Sequence, residues 1–331
     1  MRVAIVGASG MVGRMFLKVL EEKNLHIDEY VLFSSARSAG KSVTFLGKEY
    51  IFNELNENSF DSGFDFALFS AGGDVSKKYA PIAAAHNCTV IDNSSAWRMD
   101  ADVPLVVPEV NMEAAFNNHG IIANPNCSTI QAVVALKPLH DAFRIKRIVY
   151  STYQAVSGAG LKGYMDLKNG VEGIKTTEKF PYQIFGNCIP HIDSFLENGY
   201  SKEEMKMVNE TQKILNDFNI QITATTVRVP VFHGHSESIN VEFEKSFMMN
   251  EVFDVLSNAP GIVVQDNLAE NVYPMPIFAE GYDEVFVGRI RRDYSVMNGI
   301  NMWVVADNLR KGAATNAISI MENLVKEKRG D

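Results

Sequence analysis

Cysteine is scarce in this 331-residue sequence, and its first apolar run is short. The three cysteines, Cys88, Cys127 and Cys188, are too few and too widely spaced for a disulfide framework, which favours a reducing compartment. The early run from Val3 to Val6 is too short for a signal-peptide core or a membrane span. We therefore expect a cytoplasmic protein with no membrane partner.

Positive charge is also in deficit. The chain has 31 Lys and Arg residues against 40 Asp and Glu residues, a formal net charge of −9. This balance argues against a nucleic-acid partner or a membrane-surface protein, although a few local Arg and Lys residues still suit a small anionic substrate. With 46% hydrophobic and 21% charged residues, a folded chain of two domains is expected.

A strand, a glycine-rich turn and a helix open the chain. Val3 to Val6 is a continuous apolar run, typical of a strand buried on both faces. Gly7, Gly10 and Gly13 follow in the pattern G-x-x-G-x-x-G, and apolar residues then recur with helical spacing. Glycines let the backbone approach a pyrophosphate at a helix N-terminus, so the pattern predicts dinucleotide binding. The alternative is a purely structural tight turn.

The next hundred residues alternate between strands and helices. The predicted strands are Tyr30–Phe33, Phe64–Phe69, Thr89–Ile91 and Ile121–Ala123, with a helix over Val75–His86. This alternation predicts a parallel, doubly wound, Rossmann-like sheet.

The end of the second strand bears on the choice of cofactor. An NAD site would place a carboxylate there, about 20 residues past the loop. The sequence instead has the hydroxyls of Ser35 and Ser38 and the guanidinium of Arg37, which suit a 2′-phosphate. We therefore expect NADP rather than NAD, the alternative being that Arg37 is a solvated loop residue.

The pattern changes after about residue 125. Five longer strands mix β-branched and polar residues and indicate a mixed, mostly antiparallel sheet in an α+β domain. They are predicted at Ile145–Val156, Gln221–Val231, Ser238–Phe243, Val285–Arg291 and Gly299–Val305. A closing amphipathic helix from Asn308 to Lys326 is placed back against the first domain. The predicted domains are 1–126 with 308–331, and 127–307.

Cys127 is the most suggestive cysteine because it starts a predicted helix that runs to Leu139. The N–H groups and dipole at a helix N-terminus stabilise a thiolate and an oxyanion. Cys88 and Cys188 lack this setting, so we interpret them as small filler residues. A thiol combined with a nicotinamide cofactor suggests interconversion of aldehydes and acyl groups through a thioester.

Four ordered motifs resemble the bacterial aspartate-β-semialdehyde dehydrogenases over nearly the whole chain. The motifs are Gly7–Gly13, Asn126–Thr129, Tyr153–Gly160 and Arg228–Ser236, followed by the closing helix. The resemblance implies reduction of L-aspartyl-4-phosphate by NADPH to L-aspartate-4-semialdehyde and phosphate. That reaction belongs to lysine, threonine, methionine and diaminopimelate synthesis. It also implies a homodimer or a dimer of dimers, joined through the sheet of the second domain.

The same resemblance implies roles for individual residues. Cys127 matches the acylated nucleophile, His235 the general acid/base and Gln154 the residue that orients the intermediate. Arg228 matches the ligand of the substrate carboxylate, and Glu203 the ligand of its ammonium. These residue types fit the substrate chemistry, since a guanidinium binds a carboxylate in two places and an imidazole relays protons near neutral pH.

Further matches concern the phosphate and the cofactor. The phosphate positions are Arg98, Asn126 and Lys206. The cofactor positions, with Gly7 and Ser35 taken from the patterns above, are Gly7, Ser9, Gly10, Met11, Val12, Ser35, Arg37, Ser38, Ser157, Gly158 and Asn308.

Each assignment has a structural alternative. Arg228 would also suit a cross-strand ion pair, Glu203 and Lys206 an ordinary solvated helix face, and Arg98 a stack on Trp97. His233 and His235 form an H-x-H pair, but no third ligand has suitable spacing, so no metal is expected.

Two rival functions stay open at this level. One is another acyl-phosphate reductase, acting for example on N-acetylglutamyl phosphate, whose acylated amine needs no carboxylate such as Glu203. The other is a nucleotide-binding redox sensor without catalysis, in which Cys127 is oxidised but no hydride is transferred.

Overall fold

The structure is a computed structural model that describes residues 1–329. The chain divides into two compact units. Unit 1 comprises Met1–Pro125 and the C-terminal segment from Ala313, and unit 2 comprises Asn126–Gly312. Within residues 1–329, no helix has the length and apolarity needed to cross a membrane.

Unit 1 contains eight strands and four helices among the described residues. The strands are β1 (Arg2–Val6), β2 (Glu29–Ser34), β3 (Ser42–Phe45), β4 (Lys48–Ile51), β5 (Asn53–Glu54), β6 (Phe66–Phe69), β7 (Thr89–Asp92) and β8 (Ile121–Ala123). The helices are α1 (Met11–Lys23), α2 (Gly73–Ala85), α3 (Pro108–Asn111) and, at the end of the chain, α9 (Thr315–Arg329). A 3₁₀ segment, Met112–Asn117, follows α3.

The main sheet of unit 1 is parallel throughout and has the strand order β5-β2-β1-β6-β7-β8. The central strand β1 is fully buried from Val3 to Val6, because helices cover both faces of a parallel sheet. The predicted Rossmann-like sheet is therefore confirmed. A hairpin of β3 and β4, which the sequence did not predict, turns at Leu46 and Gly47, both with positive φ.

The closing helix α9 packs on unit 1. Its buried residues Ala317, Ile320 and Met321 belong to the same hydrophobic cluster as Val3 and Phe16. The sequence predicted one helix from Asn308, but Arg310–Ala314 forms a π-helical turn first, and the regular helix begins at Thr315.

Unit 2 contains six strands and five helices. The strands are β9 (Ile145–Gln154), β10 (Gln221–Arg228), β11 (His235–Phe243), β12 (Ile262–Val264), β13 (Val285–Asp293) and β14 (Gly299–Ala306). The helices are α4 (Cys127–Phe143), α5 (Gly160–Val171), α6 (Lys202–Leu215), α7 (Met249–Ser257) and α8 (Pro276–Ala279). Two 3₁₀ segments, Val156–Ala159 and Leu268–Glu270, complete the unit.

These strands form one sheet with the order β10-β9-β11-β14-β13-β12. The three central pairings are antiparallel and the two outer pairings are parallel, so the predicted mixed, mostly antiparallel sheet is confirmed. Alternate residues of β11, among them His235, Glu237 and Ile239, are completely buried. Strand β10 is parallel to β9 and β11 is antiparallel to it. The end of β9, the end of β10 and the start of β11 therefore lie side by side at the same end of the sheet, and so do the functional side chains that they carry.

Candidate active site

Cys127 begins helix α4, and the preceding residue caps this helix. The Asn126 side chain accepts hydrogen bonds from the N–H groups of Ser128 (3.0 Å) and Thr129 (3.3 Å). This is a regular N-cap, which satisfies donors at the helix start and fixes the direction of its first turn. The chain after β14 passes close to the cysteine. A Cβ added to Gly312 would lie only 2.8 Å from Cys127 Cβ.

His235 forms the pair with the cysteine. Its Nε2 lies 3.2 Å from Cys127 Sγ, and its Nδ1 lies 3.0 Å from the main-chain nitrogen of Ala155. Because a backbone N–H only donates, Nδ1 must accept, and the proton of the neutral ring is on Nε2, directed at sulfur. Burial and the positive charge of Arg228 lower the pKa of His235 to about 3. The resting ring is therefore neutral and donates a hydrogen bond to the sulfur.

Arg228 is a buried cation beside this pair. Its Nη1 donates to the main-chain oxygen of Ala155 at 2.6 Å, and its Nε is buried with no hydrogen-bond partner among residues 1–329. Burial lowers the pKa of Arg228, but a guanidinium stays charged at neutral pH. A buried guanidinium with an unpaired donor suits an incoming carboxylate.

Glu203 collects several donors at the start of α6. Asn126 Nδ2 (2.9 Å) and Gln154 Nε2 (3.0 Å) donate to Oε1, and Lys206 Nζ (3.0 Å) donates to Oε2. Burial alone would raise the pKa of Glu203, but the Lys206 charge and these hydrogen bonds lower it to about 2. Glu203 is only 5% exposed, so the alternative of an ordinary solvated helix face is wrong for it.

The structure thus brings together seven of the predicted site residues in unit 2. Hydrogen bonds or close approaches connect Cys127, His235, Gln154, Arg228, Glu203, Asn126 and Lys206. No cross-strand ion pair of Arg228 is found among residues 1–329, and the Arg228 guanidinium lies near the Glu203 carboxylate and the Cys127 side chain.

Three predicted cofactor residues also lie in unit 2, next to the pair. Asn308 exchanges hydrogen bonds with Ser157 (3.1 and 3.2 Å) and accepts one from the Gly234 N–H at 2.9 Å. A Cβ on Gly158 would lie 3.2 Å from both Arg228 Nη1 and His235 Cε1. The absence of a side chain at Gly158 therefore keeps a narrow space open beside the imidazole.

The glycine loop of unit 1 has the backbone shape and the free helix start that a dinucleotide pyrophosphate needs. Gly7 has a φ of +84°, and a Cβ there would lie 2.8 Å from the main chain of Ser70. A Cβ on Gly13 would lie 2.2 Å from the carbonyl oxygen of Gly7, so this helix must carry glycine to pack on the loop. Helix α1 has Gly10 as its N-cap, with no side-chain cap and no acidic residue in its first turn. An anionic pyrophosphate fits this helix start.

The end of β2 lies beside that loop. The N–H groups of Gly7 and Ala8 both donate to the Phe33 carbonyl, at 2.9 and 3.1 Å. A turn follows, in which the Ser38 N–H donates to the Ser35 carbonyl at 2.8 Å, and Arg37 is exposed. Ser35, Arg37 and Ser38 thus directly follow the end of β2, and their contact with a 2′-phosphate stays a prediction.

Arg98 lies in unit 1, where its guanidinium donates hydrogen bonds to main-chain carbonyls. Its Nε donates to the Asn124 carbonyl (2.9 Å) and its Nη2 to the Asn93 carbonyl (3.0 Å). The neighbouring Trp97 donates through Nε1 to Ser76 Oγ at 2.9 Å. These contacts give Arg98 a structural role within unit 1, and its contact with phosphate stays a prediction.

Two groups that the sequence did not single out hold the histidine. The Ala155 N–H fixes the tautomer, but a main-chain group leaves no signal in a sequence. Gln131 lies one turn after Cys127 on α4, and its Nε2 donates to the main-chain oxygens of His235 (3.3 Å) and Val304 (3.4 Å). A polar residue in an otherwise apolar helix stretch was the available signal for Gln131.

The other two cysteines have different environments. Cys88 is buried, and burial raises the pKa of its thiol to about 12, which suits a filler residue. Cys188 is exposed, so the prediction that it is a filler residue is wrong: its loop lies at the surface. His233 Nε2 is 3.9 Å from Glu280 Oε1, and residues 1–329 hold no cluster of three metal-binding side chains.

Comparisons with known proteins agree with this arrangement. A family model described as "Semialdehyde dehydrogenase, NAD binding domain" matches residues 2–118, and "Semialdehyde dehydrogenase, dimerisation domain" matches residues 136–311. An aspartate-semialdehyde dehydrogenase of Aquifex aeolicus is 62% identical over 335 residues, with 98% of each chain covered.

Solved structures give the same result. The crystal structure of aspartate semialdehyde dehydrogenase II from Vibrio cholerae has a TM-score of 0.94 and 50% identity, and covers 98% of each chain. The same enzyme complexed with ASA has a TM-score of 0.93 and the same identity and coverage. A Candida albicans aspartate semialdehyde dehydrogenase with NADP has a TM-score of 0.79 and 26% identity, and covers 99% of each chain.

The parallel dinucleotide-binding sheet and the partly buried Cys127 thiol beside the buried His235 imidazole define a nicotinamide-dependent oxidoreductase. Its second unit belongs to a dimerisation-domain family, so the protein is an oligomer-forming enzyme. The chain belongs to the aspartate-semialdehyde dehydrogenase family.

Proposed function

We propose that this protein reduces L-aspartyl-4-phosphate with NADPH to L-aspartate-4-semialdehyde and phosphate, through a thioester on Cys127. The observation that carries the proposal is the 3.2 Å contact between Cys127 Sγ and His235 Nε2, next to the buried Arg228 guanidinium. The reaction provides the semialdehyde for lysine, threonine, methionine and diaminopimelate synthesis.

The first step forms the thioester. Cys127 Sγ attacks the acyl carbon, a carbon–sulfur bond forms, and the carbon–oxygen bond to phosphate breaks, so that phosphate leaves with the bonding electrons. The Cys127 thiol releases its proton to solvent before the attack, and the Nε2–H of His235, which is directed at sulfur, stabilises the resulting thiolate. The same donor lies beside the acyl carbon bonded to Sγ, where the carbonyl oxygen gains negative charge.

The second step reduces the thioester. When bound, NADPH supplies the hydride for the acyl carbon. The resulting thiohemiacetal oxyanion collapses to the aldehyde, and the carbon–sulfur bond breaks to return the thiolate of Cys127. The His235 Nε2–H again donates a hydrogen bond, first to the oxyanion and then to the departing sulfur, without transferring its proton. In this mechanism the general acid/base role expected from the resemblance is therefore reduced to hydrogen-bond donation. Because the Ala155 N–H holds Nδ1, the ring presents the same proton in both steps.

Charge complementarity supports the substrate assignment. The buried Nε of Arg228 offers a donor to the substrate carboxylate, and Glu203 stays ionised to bind the substrate ammonium. Gln154 donates to Glu203 and lies at the end of β9, where it orients the acyl group. In unit 2, Lys206 and Asn126 provide the phosphate contacts, while a phosphate role of the unit 1 residue Arg98 stays a prediction.

The cofactor in this proposal is NADP. Residues 9–12 with Gly7 would hold the pyrophosphate, and Ser35, Arg37 and Ser38 the 2′-phosphate. Ser157, Gly158 and Asn308 would contact the nicotinamide end. The exposed guanidinium of Arg37 after β2, and the absence of a carboxylate from residues 35–38, support this preference.

Domain roles and assembly complete the proposal. Residues 1–126 with 308–331 are assigned to the NADP-binding domain, and 127–307 to the catalytic and dimerisation domain, which also carries Ser157 and Gly158. The assembly is a homodimer or a dimer of dimers. A cytoplasmic location stays a prediction.

The test is reduction of NADP by aspartate semialdehyde, measured at 340 nm with and without phosphate. We expect turnover only with phosphate, and loss of at least about 1,000-fold in Cys127→Ala. N-acetylglutamate semialdehyde, an acylated amine, serves as the rival substrate. Preference for it would identify the other acyl-phosphate reductase, and no hydride transfer to NADP with any aldehyde would identify a redox sensor.

Glu203→Gln sharpens the comparison of substrates. Removing this carboxylate should raise KM for aspartate semialdehyde about 10- to 100-fold, because a charge-assisted contact with the ammonium is lost. The same variant should leave activity with a substrate lacking the ammonium unchanged. An unaltered KM for aspartate semialdehyde would refute the assigned role of Glu203.

A further inference from the structure

Lys206 is held by two carboxylates, and only one of them belongs to the proposed substrate site. Its Nζ donates to Glu203 Oε2 at 3.0 Å and to Asp193 Oδ2 at 2.9 Å. Burial alone would lower the pKa of Lys206, but the two carboxylates raise it above the ordinary value. Asp193 has no role in the reaction proposed above.

The two carboxylates fix the orientation of the Lys206 ammonium group. A lysine Nζ carries three N–H donors. Two of them point to Glu203 and Asp193, so the direction of the third is fixed. A lysine held by one carboxylate alone would turn about that contact, because its four-carbon stem is flexible.

The backbone at Asp193 is shaped for this contact. Asp193 has a φ of +68°, in the left-handed region that Asp and Asn adopt more readily than most residues but still at a cost. Its Oδ1 accepts from the Ser194 N–H at 2.8 Å, which leaves Oδ2 for the lysine. The Ser194 carbonyl accepts from the Lys202 N–H at 2.9 Å, so the loop is tied to the start of α6.

We propose that Asp193 is a positioning residue, which together with Glu203 directs the third N–H of Lys206 towards the departing or attacking phosphate. The inference rests on the proposed function, because it assumes that Lys206 binds phosphate. In this proposal Asp193 acts through its contact with Lys206 and has no direct role in binding the substrate or the cofactor. When the substrate ammonium competes for Glu203, Asp193 keeps Lys206 in place.

The test measures KM for phosphate in the NADP reduction assay with Asp193→Asn. Asparagine keeps the left-handed backbone and the acceptor for Ser194 but removes the charge. We expect KM for phosphate to rise about five- to tenfold, with kcat changed less than about twofold. Asp193→Gly, which adopts this φ without strain, should give the same rise if the charge matters. An unchanged phosphate KM in both variants would overturn the proposal.

Glu197→Gln is the matched control. It removes the same charge from the same loop, at an exposed residue that has no contact with Lys206. This control should leave KM for phosphate unchanged. An equal rise in Glu197→Gln would mean that the net charge of the loop matters rather than the contact, and would contradict the proposal.

A double-mutant cycle with Lys206→Met separates the two levels of inference. If Asp193 acts through Lys206, Asp193→Asn should have no further effect on phosphate KM in the Lys206→Met background. A rise of the same size in both backgrounds would overturn the positioning role but leave the phosphate role of Lys206 intact. If Lys206→Met itself left phosphate KM unchanged, the phosphate site of the proposed function would fall, and this inference with it.

Discussion

The protonation state of His235 leads to a quantitative prediction about stability. The folded imidazole has a pKa lowered to about 3 by burial and Arg228, against an ordinary value of 6.5. The unfolded chain therefore binds the extra proton between pH 6.5 and 3, and the folded chain does not. This group destabilises the folded state progressively as the pH falls through that window, and its contribution is absent above pH 6.5.

The size of this destabilisation depends on how far the pH lies below the ordinary pKa of histidine. At pH 5, about 1.5 pH units below the ordinary value, keeping the ring neutral costs about 2 kcal/mol, at about 1.4 kcal/mol per pH unit. The His235→Asn variant cannot be protonated there, while its amide oxygen can still accept from the Ala155 N–H. Its free energy of unfolding should therefore fall about 2 kcal/mol less than that of the parent protein between pH 7 and pH 5.

The assay is urea denaturation at pH 7 and pH 5, with both proteins at one concentration because subunit association affects apparent stability. Other titrating groups, such as the buried Glu237, are common to both proteins and cancel in the difference. Equal pH dependence in the two proteins would refute the assignment of a neutral imidazole in the folded protein.

Three further substitutions have expected outcomes. Arg37→Ala should raise KM for NADP about tenfold and leave KM for NAD unchanged, as initial rates with each cofactor will show. Gly158→Ala should lower kcat/KM about tenfold with an unchanged melting temperature, because the new Cβ lies 3.2 Å from Arg228 Nη1 and His235 Cε1. Gly7→Ala should destabilise the protein by about 2 kcal/mol or more in urea denaturation, since its φ is +84° and Ser70 blocks the Cβ. An equal effect on both cofactors in Arg37→Ala would contradict the first expectation. An unchanged kcat/KM in Gly158→Ala, or an unchanged stability in Gly7→Ala, would contradict the second or the third.

The fold could be predicted where one periodicity prevails over a whole element. The apolar run of β1 and the glycines after it define a buried strand and a helix start without tertiary information. The β3–β4 hairpin was missed because its turn, Leu46–Gly47, lacks the usual Asn-Gly signal and its strands are mostly exposed. The start of α9 was misplaced because Asp307 caps a π-helical turn rather than the regular helix.

The sequence predicted the identity of site side chains that lie in recognisable motifs, but not the contacts between them. Cys127 and His235 are 108 residues apart, and no spacing rule places Nε2 against sulfur. The Ala155 N–H, which decides the tautomer, is a main-chain group that any residue would supply. Asp193 lies 13 residues before Lys206 in a loop without regular structure, so its contact depends on the tertiary fold.

The central claim is the thioester on Cys127, and one rapid-mixing measurement tests it most directly. Aspartate semialdehyde and NADP are mixed with the enzyme without phosphate, and the first turnover is followed at 340 nm. Hydride transfer precedes phosphate attack in this direction, so we expect a burst of one NADPH per Cys127, with an aspartyl group retained on the protein by mass spectrometry. The burst should be absent in Cys127→Ser. A normal burst in that variant, or phosphate needed for the first NADPH, would contradict the covalent mechanism.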